Sequence, residues 1–279
     1  MDIKQLFNLA FEAICLANDK VLTIYQKSQF QISYKSDKSP VTQADIASSD
    51  IICKFLNQSR IPVICEETTE IPYQKRRSFP YFWLVDPLDG TKEFISRNGE
   101  FTVNIALIEN NLPILGLIAI PTQNLLYFGG ENLKPFRMNF SDRETFDYDT
   151  ETLSAEPLSV SKKNDPVRVM VSRSHLDDQT KIFLAELQKN YPSIQTVSAG
   201  SSLKFCRIAE GEAEVYLRFS PTMEWDTAAG QAIAESSGAQ MVSLPDYGVF
   251  AYNKPVLRNG GFLLTSLENL SIPDGLGGM

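Results

Sequence analysis

Residues 83–94 read Trp-Leu-Val-Asp-Pro-Leu-Asp-Gly-Thr-Lys-Glu-Phe, and this stretch indicates both a fold and a chemistry. The apolar run 81–85 predicts a buried strand that carries Asp86 to its C-terminal edge. Pro87 fixes φ and donates no hydrogen bond, so we expect the strand ladder to end there. Asp89 follows three residues after Asp86, close enough to share a cation, and the carbonyl of Leu88 can face the same ion.

Gly90 and Thr91 then open a predicted short helix, and free N–H groups at such a start bind phosphate oxygens. One stretch thus supplies two carboxylates, a carbonyl oxygen and an anion cradle. Hard oxygen ligands suit Mg²⁺. Taken alone, such a motif favours a simple turn in which Asp89 caps a helix. The choice between these interpretations therefore depends on acids elsewhere in the chain.

Three further acids lie in suitable places. Glu66 follows the apolar strand candidate 62–65, just as Asp86 follows its own strand. Asp226 stands at the head of a helix of small residues, and Asp45 lies in the first turn of a helix that Thr42 caps. The structural alternatives are an N-cap role for Asp226 and a helix-dipole role for Asp45. Together, the acids favour a metal site.

Composition excludes several classes of function. The chain has 26 basic and 34 acidic side chains, a net charge of -8, which argues against a general nucleic-acid or membrane-surface binder. With one histidine, a His-rich zinc site is impossible. The four cysteines form no CxxC pair and indicate reduced thiols of an intracellular protein. No signal peptide, membrane-spanning run or GxxxxGK[ST] phosphate loop is visible.

The hydrophobic pattern predicts two parts. A long amphipathic helix, a second helix and a meander of antiparallel strands make up an N-terminal α+β part, residues 1–157, which carries most of the candidate metal ligands. An acidic loop at 141–157 marks the seam. Alternating strands and helices then predict a C-terminal α/β part, 158–279, which carries Asp226 and the substrate contacts.

The combined motifs resemble the inositol monophosphatase superfamily of lithium-sensitive, Mg²⁺-dependent phosphatases. Within it, the pattern is similar to the CysQ-type branch, the 3'(2'),5'-bisphosphate nucleotidases; inositol monophosphatases usually read Thr-Asn-Phe at 92–94, where this chain has Lys-Glu-Phe. The resemblance runs from the first helix to about residue 265. The motifs that carry it are Ser39-Pro40-Val41-Thr42, Asp86–Phe94, Ser172-Arg173-Ser174-His175, Gly200–Cys206 and Glu224-Trp225-Asp226-Thr227.

The resemblance implies an α/β (α+β) fold, the layered α-β-α-β-α sandwich of the sugar phosphatases, with mixed and antiparallel sheets. It also implies two Mg²⁺ ions, with a third near Asp45 and Glu66. One ion belongs to Glu66, Asp86 and the Leu88 carbonyl, and the other to Asp86, Asp89 and Asp226. Glu67 is expected to point away from its neighbour Glu66. The predicted substrate-binding residues are Glu66, Leu88, Asp89, Gly90, Thr91, Ser174, His175, Ser201, Lys204, Arg218 and Asp226.

For the reaction we hypothesise that a metal-activated water attacks phosphorus in line. Three residues are the catalytic candidates: Thr91 and Asp45 accept the proton, and Glu66 orients the water. The substrate implied by the resemblance is adenosine 3',5'-bisphosphate, which yields AMP and phosphate, with the 5'-phosphosulfate analogue as a further candidate. This links the enzyme to sulfate assimilation. His175 also fits a surface loop histidine, and Lys204 a solvated helix residue.

Two alternatives remain open at this point. One keeps the chemistry and changes the substrate to an inositol monophosphate or another sugar phosphate. The other is a non-catalytic nucleotide or metal sensor, although such a protein is expected to lack one of the ligands. The expected partner is a small phosphate monoester, with no nucleic acid and no integral membrane segment. The expected location is the cytoplasm, and the resemblance also allows peripheral attachment to the inner membrane; the oligomeric state is not readable.

Overall fold

The computed structural model describes residues 2–35, 38–68, 70–145, 155–163, 165–172, 178–268 and 270. Seven α-helices and sixteen strands run through this described part, together with short 3-10 turns. The helices are α1 (Ile3–Tyr25), α2 (Gln43–Leu56), α3 (Tyr73–Arg76), α4 (Thr91–Ile95), α5 (Asp178–Asn190), α6 (Leu203–Ala209) and α7 (Ala228–Ser236). The strands are β1 (Ile32–Tyr34), β2 (Pro40–Thr42), β3 (Val63–Cys65), β4 (Tyr81–Asp89), β5 (Thr102–Glu109), β6 (Leu112–Ile120), β7 (Leu125–Gly130), β8 (Leu133–Asn139), β9 (Glu156–Pro157), β10 (Val167–Ser172), β11 (Ile194–Ala199), β12 (Val215–Arg218), β13 (Thr222–Met223), β14 (Gln240–Ser243), β15 (Arg258–Asn259) and β16 (Phe262–Thr265).

The larger sheet has seven strands in the order β3-β4-β5-β6-β7-β8-β9. Its first pair, β3 and β4, is parallel, and the following pairs are antiparallel. Parallel pairing places the C-terminal ends of β3 and β4 at the same edge of the sheet. Glu66, the first residue after β3, therefore lies beside Asp86 of β4.

The smaller sheet has five strands in the order β11-β10-β12-β16-β14 and is mixed. Strand β10 pairs in parallel with β11 and β12, whereas β16 lies antiparallel to β12 and β14. Two small antiparallel pairs complete the strands: β1 with β2, and β13 with β15. The mixed and antiparallel character that was predicted is therefore present.

Three apolar clusters stack the elements into layers. Helices α1 and α2 bury one side against the first face of the large sheet, with Phe7, Ile14 and Trp83 among the core residues. Helices α6 and α7 fill the space between the two sheets, where Phe205 packs with Phe262. Helix α5 covers the outer face of the small sheet through its Phe183. The resulting order is the α-β-α-β-α sandwich that the resemblance implied.

Most predicted elements lie where the pattern placed them, with three differences. Strand β4 does not end at Pro87 but pairs again at Asp89, after a register shift. Proline lacks the ladder N–H, and here it falls within the irregular segment, where no ladder bond is required of it. The sequence analysis does not predict strands β8 and β16, nor the short elements β1, β2, α3, β9, β13 and β15. The acidic seam is described only at 141–145 and from 155 onward, where β9 pairs with β8.

The division at residue 157 remains a prediction, since the interior core joins both parts: Phe82 and Ile118 of the first part share it with Ile233 and Leu264 of the second. No helix in the described ranges has the length and apolarity needed to cross a bilayer.

Candidate active site

The bulge in β4 shapes the centre of the site. Asp86 still pairs with Asn104 of β5, and pairing resumes at Asp89 with Thr102. The backbone N–H of Leu88 donates to Asp86 Oδ1 at 3.0 Å. Asp86 is 1 % exposed and so lies at the floor of the site, whereas Asp89 lies nearer the surface.

Thr91, the first residue of α4, meets Asp45 from the first turn of α2. Its hydroxyl donates to Asp45 Oδ1 at 3.0 Å and lies 3.4 Å from the Leu88 carbonyl oxygen. The other oxygen, Asp45 Oδ2, accepts from the Thr42 backbone N–H at 2.7 Å and from its hydroxyl at 2.6 Å. This capping box holds Asp45 in place and leaves one oxygen for Thr91. The predicted pair thus meets, although its catalytic role stays a prediction.

Four carboxylates, those of Glu66, Asp86, Asp89 and Asp226, interact electrostatically and are called the four-carboxylate cluster below. Burial and the charges of Glu66, Asp89 and Asp226 raise the pKa of Asp86 well above its usual value. Burial and Asp89 likewise raise the pKa of Asp226. Negative charge is therefore concentrated here, and a divalent cation would compensate it with the hard oxygen ligands that Mg²⁺ prefers.

Asp89 and Asp226 already accept hydrogen bonds from groups of the protein. Asp89 Oδ2 accepts from the Ser202 backbone N–H at 2.7 Å and from the Ser202 hydroxyl at 2.6 Å. Asp226 Oδ2 accepts from the Met223 N–H at 2.8 Å, so Asp226 is not the N-cap of α7; Thr227 occupies that position. Accordingly, no three His, Cys, Asp or Glu side chains in the described part of the chain are arranged to hold a metal ion as they stand. The donor set, four carboxylates and the nearby Leu88 carbonyl, nevertheless fits Mg²⁺ in chemistry and charge.

Glu66 and Glu67 share a partner that was not predicted. Lys35 Nζ donates to Glu66 Oε1 at 2.8 Å and to Glu67 Oε1 at 2.5 Å. Burial alone would lower the pKa of Lys35, but these hydrogen bonds raise it above its usual value. Because β3 ends at Cys65, the two glutamates lie in a turn, and Glu67 does not point away from its neighbour as a strand would require.

A cleft of about 210 Å³ opens beside Asp89 and Asp226. Lys204 lines it as a buried side chain whose Nζ donates to the Ser201 carbonyl at 2.7 Å and to that of Ala199 at 3.3 Å. The structure therefore does not support a solvated helix residue at this position. Among the other lining residues are Gly90, Lys92, Ser201, Tyr216 and Arg218.

Two of these lining residues carry further contacts. Arg218 lies at the Asp226 side, where burial opposes its charge but Tyr216, Asp226 and Asp89 raise its pKa. The Ser201 hydroxyl is hydrogen-bonded to Thr102 at 2.7 Å, in a residue whose φ is 50°. Ser174 and His175 fall outside the described residues. The cleft thus presents cations opposite the four-carboxylate cluster.

Ser202 is a site residue that sequence reasoning missed. Besides Asp89, its hydroxyl reaches the Asp226 carbonyl at 2.7 Å and accepts from Asn104 Nδ2 at 2.9 Å. It therefore ties β5, the β4 terminus and the turn before α7 together. The Gly200-Ser201-Ser202 run marks this segment in the sequence, but the sequence analysis assigns Ser201, and not Ser202, to the site.

Glu224 supports the Asp226 turn from beneath. It is fully buried and accepts from the Asn253 and Lys254 N–H groups at 2.7 and 2.9 Å, and from Lys254 Nζ at 2.9 Å. A buried carboxylate with these three donors is compensated, in contrast to Asp86. We infer that its role is to hold the backbone that presents Asp226.

Several known proteins are similar to this chain in sequence and in structure. The model of the inositol monophosphatase family matches residues 2–270. The chain is 42 % identical over 228 residues to the 3'(2'),5'-bisphosphate nucleotidase CysQ of Salmonella typhimurium, covering 81 % of this chain and 85 % of that protein. The crystal structure of CysQ from Bacteroides thetaiotaomicron aligns with a TM-score of 0.82 at 36 % identity, over 95 % of this chain and 98 % of that one. An inositol monophosphatase from Anabaena shares the fold, with a TM-score of 0.71 at 21 % identity over 95 % of this chain and 92 % of its own.

Proposed function

The chain belongs to the inositol monophosphatase family, and from that premise we propose that it is a 3'(2'),5'-bisphosphate nucleotidase. The substrate is adenosine 3',5'-bisphosphate, which is hydrolysed to AMP and phosphate in the cytoplasm. The observation that carries the proposal is the meeting of the four-carboxylate cluster with the Thr91–Asp45 pair at the end of β4. Carboxylates gathered in this way repel a phosphate ester unless cations lie between them. The cluster therefore supports a metal-dependent phosphatase.

The residues that would hold the metal come from four separate segments. Glu66, Asp86 and the Leu88 carbonyl would hold one Mg²⁺, and Asp86, Asp89 and Asp226 a second, with a third site near Asp45. When bound, the cations neutralise the acids, polarise the phosphoryl group and lower the pKa of a water molecule.

The proton path runs through Thr91. Its hydroxyl donates to Asp45 Oδ1 at 3.0 Å, so the Thr91 oxygen keeps lone pairs that can accept a hydrogen bond from a neighbouring group. A water beside it can donate to this oxygen while Thr91 passes its own proton to Asp45. Burial raises the pKa of Asp45, which suits a carboxylate that receives a proton during turnover.

The cations of the cleft support the preference for a bisphosphate. The Lys204 ammonium donates to two backbone carbonyls and lies 5.4 Å from the centre of the Tyr216 ring, and it brings a positive charge to the wall of the cleft that attracts an anion. Arg218 lines the same cleft, and its planar guanidinium suits a phosphate group. An inositol monophosphate has no second phosphate to bring to these groups.

A phosphate-release assay tests the proposal. Adenosine 3',5'-bisphosphate and inositol 1-phosphate are compared at equal concentration, with Mg²⁺, with EDTA and with added Li⁺. We expect faster release from the nucleotide, loss of release in EDTA and inhibition by Li⁺. Asp89→Asn should lower turnover by several orders of magnitude, whereas Asp178→Asn, at an exposed aspartate far along the chain, should not. Undiminished release in EDTA, or full activity of Asp89→Asn in excess Mg²⁺, would refute the proposal.

A further inference from the structure

The Lys35 ammonium lies where a cation is required, between two carboxylates at the edge of the site. It is 2.8 Å from Glu66 Oε1 and 2.5 Å from Glu67 Oε1. The two glutamate side chains differ in exposure, 29 % for Glu66 and 7 % for Glu67. Glu66, which interacts electrostatically with Asp89 in the four-carboxylate cluster, is thus the more solvent-exposed side chain, while Glu67 offers a more enclosed partner for the same ammonium.

Lys35 is carried by a segment that can move at small cost. It follows β1, whose three residues are all exposed, and β1 pairs only with the three-residue β2 within the part of the chain that is described. Its backbone closes the hairpin through the Lys35 N–H, which donates to the Ser39 carbonyl at 2.9 Å. A two-stranded hairpin with little apolar burial is marginally stable by itself. The position of the Lys35 side chain is thus set largely by its ion pairs.

Charge makes the ammonium and a divalent cation competitors for Glu66. A carboxylate oxygen that accepts from Lys35 has its charge partly compensated, and a metal ion bound to the same group would be repelled by the ammonium at close range. Glu67 gives Lys35 a second partner to which it can withdraw. The ion pair therefore has two arrangements that differ in which glutamate the lysine holds.

We propose that Lys35 is a tethered counter-cation that holds Glu66 in the metal-free protein and gives up this carboxylate, keeping Glu67, when the divalent cation binds. The inference rests on the proposed function, because it presumes that Glu66 is a metal ligand. It makes Lys35 a positioning residue that sets the metal affinity of the site and stabilises the protein before the metal arrives.

The test measures metal binding directly. The full chain, stripped of metal with a chelator, is titrated with Mn²⁺ in a calorimeter, and the melting temperature is recorded with and without Mn²⁺. Lys35→Met removes the charge and keeps much of the side-chain length, while Lys35→Arg keeps the charge as a matched control. We expect Lys35→Met to bind Mn²⁺ several-fold more tightly and to melt at a lower temperature without metal, and Lys35→Arg to stay close to the wild type.

Glu67→Gln supplies an independent measurement with the opposite sign. With Glu67 neutral, Lys35 has Glu66 as its remaining carboxylate, so Mn²⁺ affinity should fall several-fold. In the Lys35→Met background the same substitution should have little effect, because the competitor is absent.

Equal or weaker Mn²⁺ binding by Lys35→Met would overturn the role of Lys35 while leaving the proposed function intact. A Glu67→Gln effect of the same size in both backgrounds would overturn it as well. Absence of Mn²⁺ binding by the wild type would instead refute the metal-dependent function itself, and the role of Lys35 with it. The two failures are thereby distinguishable.

Discussion

The Ser202 hydroxyl gives the sharpest prediction, because one small group joins three parts of the site. Its single hydrogen is shared between Asp89 Oδ2 at 2.6 Å and the Asp226 carbonyl at 2.7 Å, and its oxygen accepts from Asn104 Nδ2 at 2.9 Å. The residue is 2 % exposed, so water cannot readily replace these bonds. Ser202→Ala should therefore reduce both stability and turnover.

The magnitude follows from the bonds lost. A hydrogen bond to a carboxylate contributes about 1.5–3 kcal/mol, and a buried amide left without an acceptor costs about 1–3 kcal/mol. Since the Ser202 backbone N–H still holds Asp89 at 2.7 Å, the carboxylate is loosened rather than released. We expect about 2–4 kcal/mol less stability. A displaced Asp89 should also lower kcat about 10- to 100-fold, equivalent to about 1.4–2.7 kcal/mol in the barrier.

The assay combines urea unfolding with phosphate release at saturating Mg²⁺. Ser237→Ala is the matched control, because the buried Ser237 hydroxyl donates to a neutral group, the Ile233 carbonyl, at 2.8 Å, and its loss should cost only about 1 kcal/mol. If both alanine variants lose the same stability and the same turnover, the reasoning that assigns Ser202 to the two aspartates is wrong.

Three further predictions concern the rest of the molecule. Gly116→Ala should destabilise the protein by about 3 kcal/mol in urea unfolding, because the new Cβ would lie 2.3 Å from the Ala229 carbonyl oxygen of α7. Gly260→Ala is the control, because the nearest atom to its new Cβ lies at 3.9 Å. Equal losses of stability in the two variants would contradict the packing argument. Burial raises the pKa of Glu235 above its usual value of 4.5, so the folded state binds a proton more tightly than the unfolded state, and stability is lost as the pH rises above 4.5. Glu235→Gln should therefore reduce the loss of stability between pH 4.5 and 7.5, and an unchanged slope in urea midpoints would refute this. A hydrogen bond from Cys65 lowers the pKa of the half-buried Cys53. Mass spectrometry after brief iodoacetamide treatment at pH 8 should therefore find Cys53 alkylated before the other cysteines. Faster alkylation of another cysteine would contradict the claim that Cys53 is the most reactive thiol.

Features set by local chemistry were predictable from the sequence. The apolar period of α1 predicts its length and buried face, and Thr42 followed by Asp45 predicts the start of α2. The acids at the ends of β3 and β4 were identified in the same way, because an apolar strand that runs into a carboxylate is visible in sequence. These are the features in which neighbouring residues determine the structure.

Features set by distant contacts were not predictable. Lys35 reaches Glu66 across 31 positions, and nothing in a loop sequence shows where a long flexible side chain ends. The choice between Ser201 and Ser202 depends on the backbone turn at Ser201, where φ is 50°. Pro87 has no N–H and donates no hydrogen bond to the sheet, as expected. The strand nevertheless continues, because β4 pairs with β5 again at Asp89 after the bulge.

The two-sided burial of β4 has a consequence for how the enzyme tolerates insertions and deletions. Trp83 and Val85 point into the helical layer of α1 and α2, while Phe82 and Leu84 point into the interior between the sheets. Adding or removing one residue before Asp86 would exchange these two sets of side chains and, with them, the direction in which the aspartate faces. Insertions and deletions should therefore occur in the connecting loops and be absent from this strand. The packing on both faces of β4 fixes its register and so the direction in which Asp86 points.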